Sequence, residues 1–217
     1  YALALDYASG GAINNNSSGK IETVTGSFNN NYAKSTGTGV SGDDTTYARG
    51  GAVFNAGHIE KITGNFSTNK AESAGIEASG GAIYQVYASE SSLGIDEVSG
   101  TFTSNGAKNT NASGTARGGA IYNDVNMAMT IKNSTFSSNY ASNSNTSVDN
   151  VQGGAIYNAG NLIFKGVNTF YSNSITFVNT SYGNDIHNTG TITISANGTL
   201  SLDSGLSGEN GVINMGS

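Results

Sequence analysis

The sequence predicts an all-β protein, a right-handed parallel β-helix (solenoid). Three observations carry that reading. Two short motifs alternate strictly along the chain. Short β-branched segments lie between them. Nowhere does an apolar period of 3.6 residues run for three turns, so a helical solenoid is excluded.

The first motif reads Gly-Gly-Ala-Ile/Val-x-Asn/Gln. It occurs at Gly10-Gly11-Ala12-Ile13-Asn14-Asn15 and at Gly50-Gly51-Ala52-Val53-Phe54-Asn55. It returns at Gly80-Gly81-Ala82-Ile83-Tyr84-Gln85, Gly118-Gly119-Ala120-Ile121-Tyr122-Asn123 and Gly153-Gly154-Ala155-Ile156-Tyr157-Asn158. A decayed sixth copy is Gly183-Asn184-Asp185-Ile186-His187-Asn188. The second motif, Phe-x-x-Asn, occurs at Phe28/Asn31, Phe66/Asn69, Phe102/Asn105, Phe136/Asn139 and Phe170/Asn173. Its Phe recurs at intervals of 38, 36, 34 and 34 residues.

The segments between the motifs have strand chemistry: Ile21-Glu22-Thr23-Val24, Ile59-Glu60-Lys61-Ile62 and Ile95-Asp96-Glu97-Val98, each followed by a Gly and the motif Phe. Stacking each strand on its counterpart one turn earlier lets parallel strands pair without helical crossovers. A period of ~35 residues is long for one turn, so it is read as two turns of about 17 to 18 residues each. Ten to twelve turns at ~4.8 Å per turn then give a rod of roughly 50 Å. Gly and Asn suit the tight corners of such a coil.

Side-chain direction follows from the period of two. If Ile13, Val53, Ile83, Ile121 and Ile156 point inward, the Asn or Gln two residues later also starts inward, and stacked amides bond along the axis. Phe54, Tyr84, Tyr122 and Tyr157 then point outward. The alternative register buries the small Ala and the aromatic and exposes Ile. The segments after each Phe-x-x-Asn vary: residues 32–49, 70–79 and 140–152. They are predicted to be surface loops that leave the coil at one corner and give it no core residue.

Composition narrows the function. About half of the 217 residues are Gly, Asn, Ser or Thr, and the formal net charge is −6. An acidic chain with nine Lys and Arg argues against nucleic-acid binding. There is no apolar run near 18 residues for a transmembrane helix. Cysteine is absent, which removes disulfides and thiolate sites. The acidic column Glu22, Glu60 and Asp96 reads as a solvated face rather than a catalytic pair. Arg49 and Arg117 recur as Ala-Arg-Gly-Gly, a feature of the repeat. His58 and His187 sit in different repeats with no third ligand. Asp43-Asp44 is at best a weak calcium loop. No catalytic residue, cofactor or metal site is expected. Thr and Ser on strand faces offer a flat surface able to pair with a copy of itself.

The paired motifs resemble those of the polymorphic outer-membrane proteins first defined in chlamydiae, and the chain looks like the passenger of a bacterial autotransporter. The resemblance implies a cell-surface β-helix at the bacterial outer membrane, exported by a C-terminal barrel that this segment lacks. It implies adhesion to a host-cell or sister-cell surface component. In that family both motifs are tied to adhesion. Carried over, the positions are Gly50, Gly51, Ala52, Phe66, Asn69, Gly80, Gly81, Ala82, Phe102, Asn105, Gly118, Gly119, Ala120, Phe136, Asn139, Gly153, Gly154, Ala155, Phe170 and Asn173, which also have a structural reading as corners and core. Residues 1–217 read as one β-helix segment, with repeats over 10–182 and a decayed repeat and generic tail over 183–217. Beside adhesion or self-association stand two alternatives: a polysaccharide lyase or hydrolase on the same scaffold, and a filament subunit stacked end to end.

Overall fold

The structure, a computed structural model, describes residues 1–38, 46–87, 93–144, 148–178 and 180–216. Its chain winds as a parallel β-helix of about five turns. Four sheets run along the axis. In the second coil they are entered in order by Tyr32–Ser35 (sheet A), Tyr47–Arg49 (sheet B), Val53–Asn55 (sheet C) and His58–Ser67 (sheet D). Strand pairings are parallel among the described residues except one, where Ser174–Phe177 folds back on Thr180–Gly183. The one helical turn among those residues is Val148–Asn150.

Register shows that one repeat makes one coil. Phe28 pairs with Phe66, Phe66 with Phe102, Phe102 with Phe136 and Phe136 with Phe170. The expected two turns per repeat and ten to twelve turns are therefore corrected, and the rod is about half as long as predicted. The reason lies in residues 32–49 and their counterparts, which are not plain loops. Each such segment supplies a strand to sheet A and another to sheet B, so the coil has four sides. Ser35, Thr46 and Ala48 are buried, which also overturns the expectation that this stretch gives no core residue.

The cross-section has a thick limb and a thin one. Between sheets C and D lie Val53, Ile83, Ile121 and Ile156 against Ile59, Ile62, Phe66, Ile95, Val98, Phe102, Phe136 and Phe170, all essentially inaccessible. Between sheets A and B the walls are columns of alanine: Ala33, Ala71, Ala107 and Ala141 face Ala48, Ala78 and Ala116. Alanine methyls let two sheets approach closely, and this keeps the coil closed where no large side chain fits.

Corners follow from local chemistry. The first Gly of each pair has φ between +61° and +67°, a left-handed value that costs a side-chain-bearing residue about 1 to 2 kcal/mol. The second Gly is required by close approach: a Cβ on Gly51 would sit 2.0 Å from the Gly81 carbonyl oxygen. At the opposite corner, the residue two after each Phe is left-handed, from Asn30 (φ 56°) to Ser172 (φ 57°). Phe-x-x-Asn is thus one inward ring, one outward side chain, one left-handed pivot and one corner amide.

On the outside of sheet A, Glu72 accepts from Lys34 Nζ at 2.9 Å and lies 3.3 Å from Lys70 Nζ. Burial alone would raise its pKa, but hydrogen bonds from Lys34, Tyr32 and Lys70 outweigh it and hold the carboxyl down to about 2. A folded pKa below the unfolded one gives stabilisation that is complete above about pH 4.5 and is lost as pH falls toward 2. Glu72→Gln is expected to flatten that part of the stability–pH curve, read by thermal melts between about pH 6 and pH 2.5. Equal acid slopes in the two proteins would contradict the assignment.

Candidate functional site

Every motif residue singled out above, from Gly50 to Asn173, is buried. The five Phe rings stack along the axis at 4.5 to 4.8 Å, as expected, with Phe28 half-buried at one end. The amides form a ladder. Asn105 Oδ1 accepts from the backbone N–H and the Nδ2 of Asn69, at 3.0 and 2.9 Å. Asn105 Nδ2 donates to Asn139 Oδ1 and to the Phe66 carbonyl, both at 3.0 Å. Each amide in the ladder is fully used, which a buried polar group requires. A second ladder at the corner between sheets C and D joins Asn15 to Asn55, Gln85 to Asn123, Asn123 to Asn158, and Asn158 to Asn188. These residues hold the coil and present no side chain to a partner.

The first of the two registers is correct: Ile and Asn point in and the aromatics point out. Yet the aromatics are not open to solvent. Phe54, Tyr84, Tyr122, Tyr157 and His187 form an outer ladder with ring separations of 4.6 to 5.7 Å. It lies where sheets B and C meet at the Gly-Gly corner, and Tyr84 is only 2% exposed. Arg49 of sheet B sits over the Tyr47 ring at 3.8 Å and over Tyr84 at 5.0 Å. Its guanidinium makes a two-point contact with Glu77, at 2.5 and 3.2 Å. Burial opposes its charge, but Glu77 more than compensates, so it stays protonated. Arg117 repeats the arrangement over Tyr157 at 5.2 Å and donates to Gln152. Burial, then the nearby Glu77 charge, pushes the Tyr84 and Tyr122 hydroxyls well above their ordinary pKa. Sequence reasoning saw both arginines only as repeat features. The signal was present: Arg precedes Gly-Gly, and the ring follows it by three residues.

At the decayed sixth repeat the ladder ends in a cleft. Sheet B stops at Val151–Gln152, whereas sheet C continues through Ile186–Asn188 to Leu206–Ser207. The space left open is about 240 Å3 and is lined by Asp149, Val151, Gln152, Ile175, Asn184, His187, Ser207, Gly208 and Glu209. Asn184 stands where the other copies carry the second Gly. It donates to Ser207 Oγ at 2.8 Å, and His187 Nδ1 lies 3.0 Å from the same oxygen. Burial, with Arg117 adding to it, lowers the His187 pKa against the pull of Asp149, so the ring is neutral at pH 7. Asp185, at the Ala position, is fully buried and closes the amide ladder. It accepts from Asn173 Nδ2 at 2.8 Å and from the N–H groups of Ser204 and Gly205 at 2.7 and 3.1 Å.

The acidic column faces outward, and two of its three members have side-chain partners. Glu60 meets Lys20 at 3.0 Å and Asp96 meets His58 at 3.0 Å. Its members are one coil apart, not two. His58 and His187 lie on different faces, and no group of three metal-ligating side chains occurs among the described residues. Asp43-Asp44 lies outside those residues. No helix among them is long and apolar enough to cross a membrane. Comparison with protein-family models, with curated proteins and with solved structures gives no match.

Proposed function

We propose that the chain is a cell-surface β-helix of a bacterial passenger, serving adhesion or self-association without catalysis. The observation that carries this is how the coil divides its residues. The interior and two corners, between sheets B and C and between sheets D and A, repeat from coil to coil. The connections from sheet A to sheet B, through 36–46, 74–76, 110–114 and 144–150, share neither length nor sequence, and those from sheet C to sheet D also vary, from 56–57 to 86–93. Segments that differ from coil to coil, most of them polar in sequence, on a repetitive rod suit many weak contacts to another surface. The outer face of sheet D supports the self-association arm. There Ser27, Asn65, Thr101, Thr135, Thr169 and Ser201 form one uncharged column in register.

The test trims only what lies between strands. Residues 38–45 and 111–113 are replaced by short Gly-Ser turns, which leaves Ser35, Thr46 and Tyr47–Arg49 in place. The variant is expected to keep its β circular dichroism and melting temperature and to bind cells or aggregate less. Unchanged adhesion in a folded variant would reject the corner as the binding edge. A companion variant, Thr101→Lys with Thr135→Lys, separates the arms, because it charges the sheet D face and should suppress self-association alone.

A further inference from the structure

We propose that two copies of the chain join edge to edge through Thr180–Gly183, the last strand of sheet A, about a two-fold axis. This goes beyond the adhesion reading, uses a different surface from the sheet D face and depends on neither.

The sixth repeat builds this strand out of place. In the fourth coil, Thr115-Ala116-Arg117 runs into Gly118 as a strand of sheet B. Its counterpart in the sixth is Thr180-Ser181-Tyr182 before Gly183. Only residues 178–179 join it to the sheet A strand Ser174–Phe177, where the fourth coil uses 110–114. Two residues suit a hairpin, so the chain pairs antiparallel with the strand it has just left. Hydrogen-bond parity then fixes what the new edge offers. Asn184 N–H donates to the Asn173 carbonyl at 3.1 Å, and Ser174 N–H to the Asn139 carbonyl at 3.0 Å. Antiparallel pairs alternate, so Ile175 bonds Tyr182 and Phe177 bonds Thr180, while the N–H and C=O of Ser181 and Gly183 turn away from Ser174–Phe177. None of those four groups has a hydrogen-bond partner among the described residues, and the strand is exposed along its whole length.

The edge fits a second copy of itself. Placing Ser181 opposite Gly183 of the second copy closes four backbone hydrogen bonds, because each residue offers a donor and an acceptor. Tyr182 then faces Tyr182 of the second copy across the axis. Its ring stacks on Phe177 at 4.9 Å with 14° between the planes, and it is 48% exposed. Elsewhere in the molecule identical rings on neighbouring strands stack, Phe66 on Phe102 at 4.8 Å and Tyr84 on Tyr122 at 4.6 Å. A second Tyr182 continues that habit. No charge opposes the approach: Thr180-Ser181-Tyr182-Gly183 contains neither the Lys nor the Pro that guards many edge strands. Leu206–Ser207 in sheet C and Val212–Met215 in sheet D also stand one step beyond the sixth coil, so no described strand rises above this one.

The experiment uses the 217-residue chain in sedimentation equilibrium. A concentration-dependent dimer is expected, with a dissociation constant of roughly 100 μM for so small a seam. Ser181→Pro deletes an edge N–H that bonds nothing in the single chain, and symmetry deletes it twice. It is expected to weaken the dimer at least about tenfold, with the melting temperature of the dilute chain unchanged. Ser181→Lys keeps the backbone, sets two like charges at the seam and is expected to do the same. Thr101→Lys with Thr135→Lys should leave the dimer intact, because those charges lie on sheet D. Oxidation reads the register: Tyr182→Cys should crosslink two copies, and Thr180→Cys, roughly 14 Å from its mate, should not. No dimer at about 1 mM would overturn the assignment. So would a dimer unmoved by both Ser181 variants or lost in the sheet D variant, a crosslink through Thr180→Cys rather than Tyr182→Cys, or an open polymer in place of a closed pair.

Discussion

Phe102→Ala is expected to destabilise the chain by about 3 to 5 kcal/mol, the cost of a large cavity in a core that cannot collapse. The ring is fully buried and stacks at 4.8 Å on Phe66 and 4.6 Å on Phe136. Its backbone is fixed by parallel pairing on both sides, so the coils cannot close over the gap. In a solenoid each coil is held by its neighbours, and a weak middle coil uncouples the two halves. Urea unfolding followed by circular dichroism reads the loss. A broadened or two-step transition is the further sign of uncoupling, and a loss under about 1 kcal/mol would contradict the packing described.

Asn105→Ala is the second large effect, and it acts through hydrogen bonds rather than volume. The substitution strips the acceptor from two buried donors, the Asn69 backbone N–H and Asn69 Nδ2. It also removes the donor to the Phe66 carbonyl and to Asn139 Oδ1. At about 1 to 3 kcal/mol for each stranded donor, the expected loss is about 2 to 6 kcal/mol. Asn31→Ala offers the internal control. It sits in the first coil, is half-buried and has the same donor contacts to Asn69. Its loss should be clearly smaller, because Asn69 Oδ1 keeps the Asn31 backbone N–H and loses only one of its two donors. Equal losses at the two positions would mean that stranded donors do not set the strength of the ladder.

The fold class was legible because Phe, Ile and Asn are strong signals that repeat in phase. The length of a coil was not. Ala33, Ala71, Ala107 and Ala141 are core residues, yet an alanine among Tyr, Lys, Ser and Asn looks like loop composition. Only the opposing alanine column of sheet B gives it a partner to bury against, and that partner is remote in sequence. The inward amides were legible from the period of two. The covering of the outward aromatics was not, because it depends on the angle at which two sheets meet at Gly-Gly. The cleft was hidden for a related reason. Asn184 and His187 show in sequence as departures from a motif, but the space beside them exists because sheet B ends before sheet C does.

The central structural claim is that one repeat makes one coil, and a distance along the rod tests it most directly. Ser27 and Ser201 are exposed ends of the outward column on sheet D, linked in register through Asn65, Thr101, Thr135 and Thr169. The chain has no native cysteine, so Ser27→Cys with Ser201→Cys places two nitroxide labels without side reactions. Five coil steps at ~4.8 Å predict a label separation near 24 Å by pulsed electron–electron resonance. A separation near ~48 Å would mean two coils per repeat and would contradict the account.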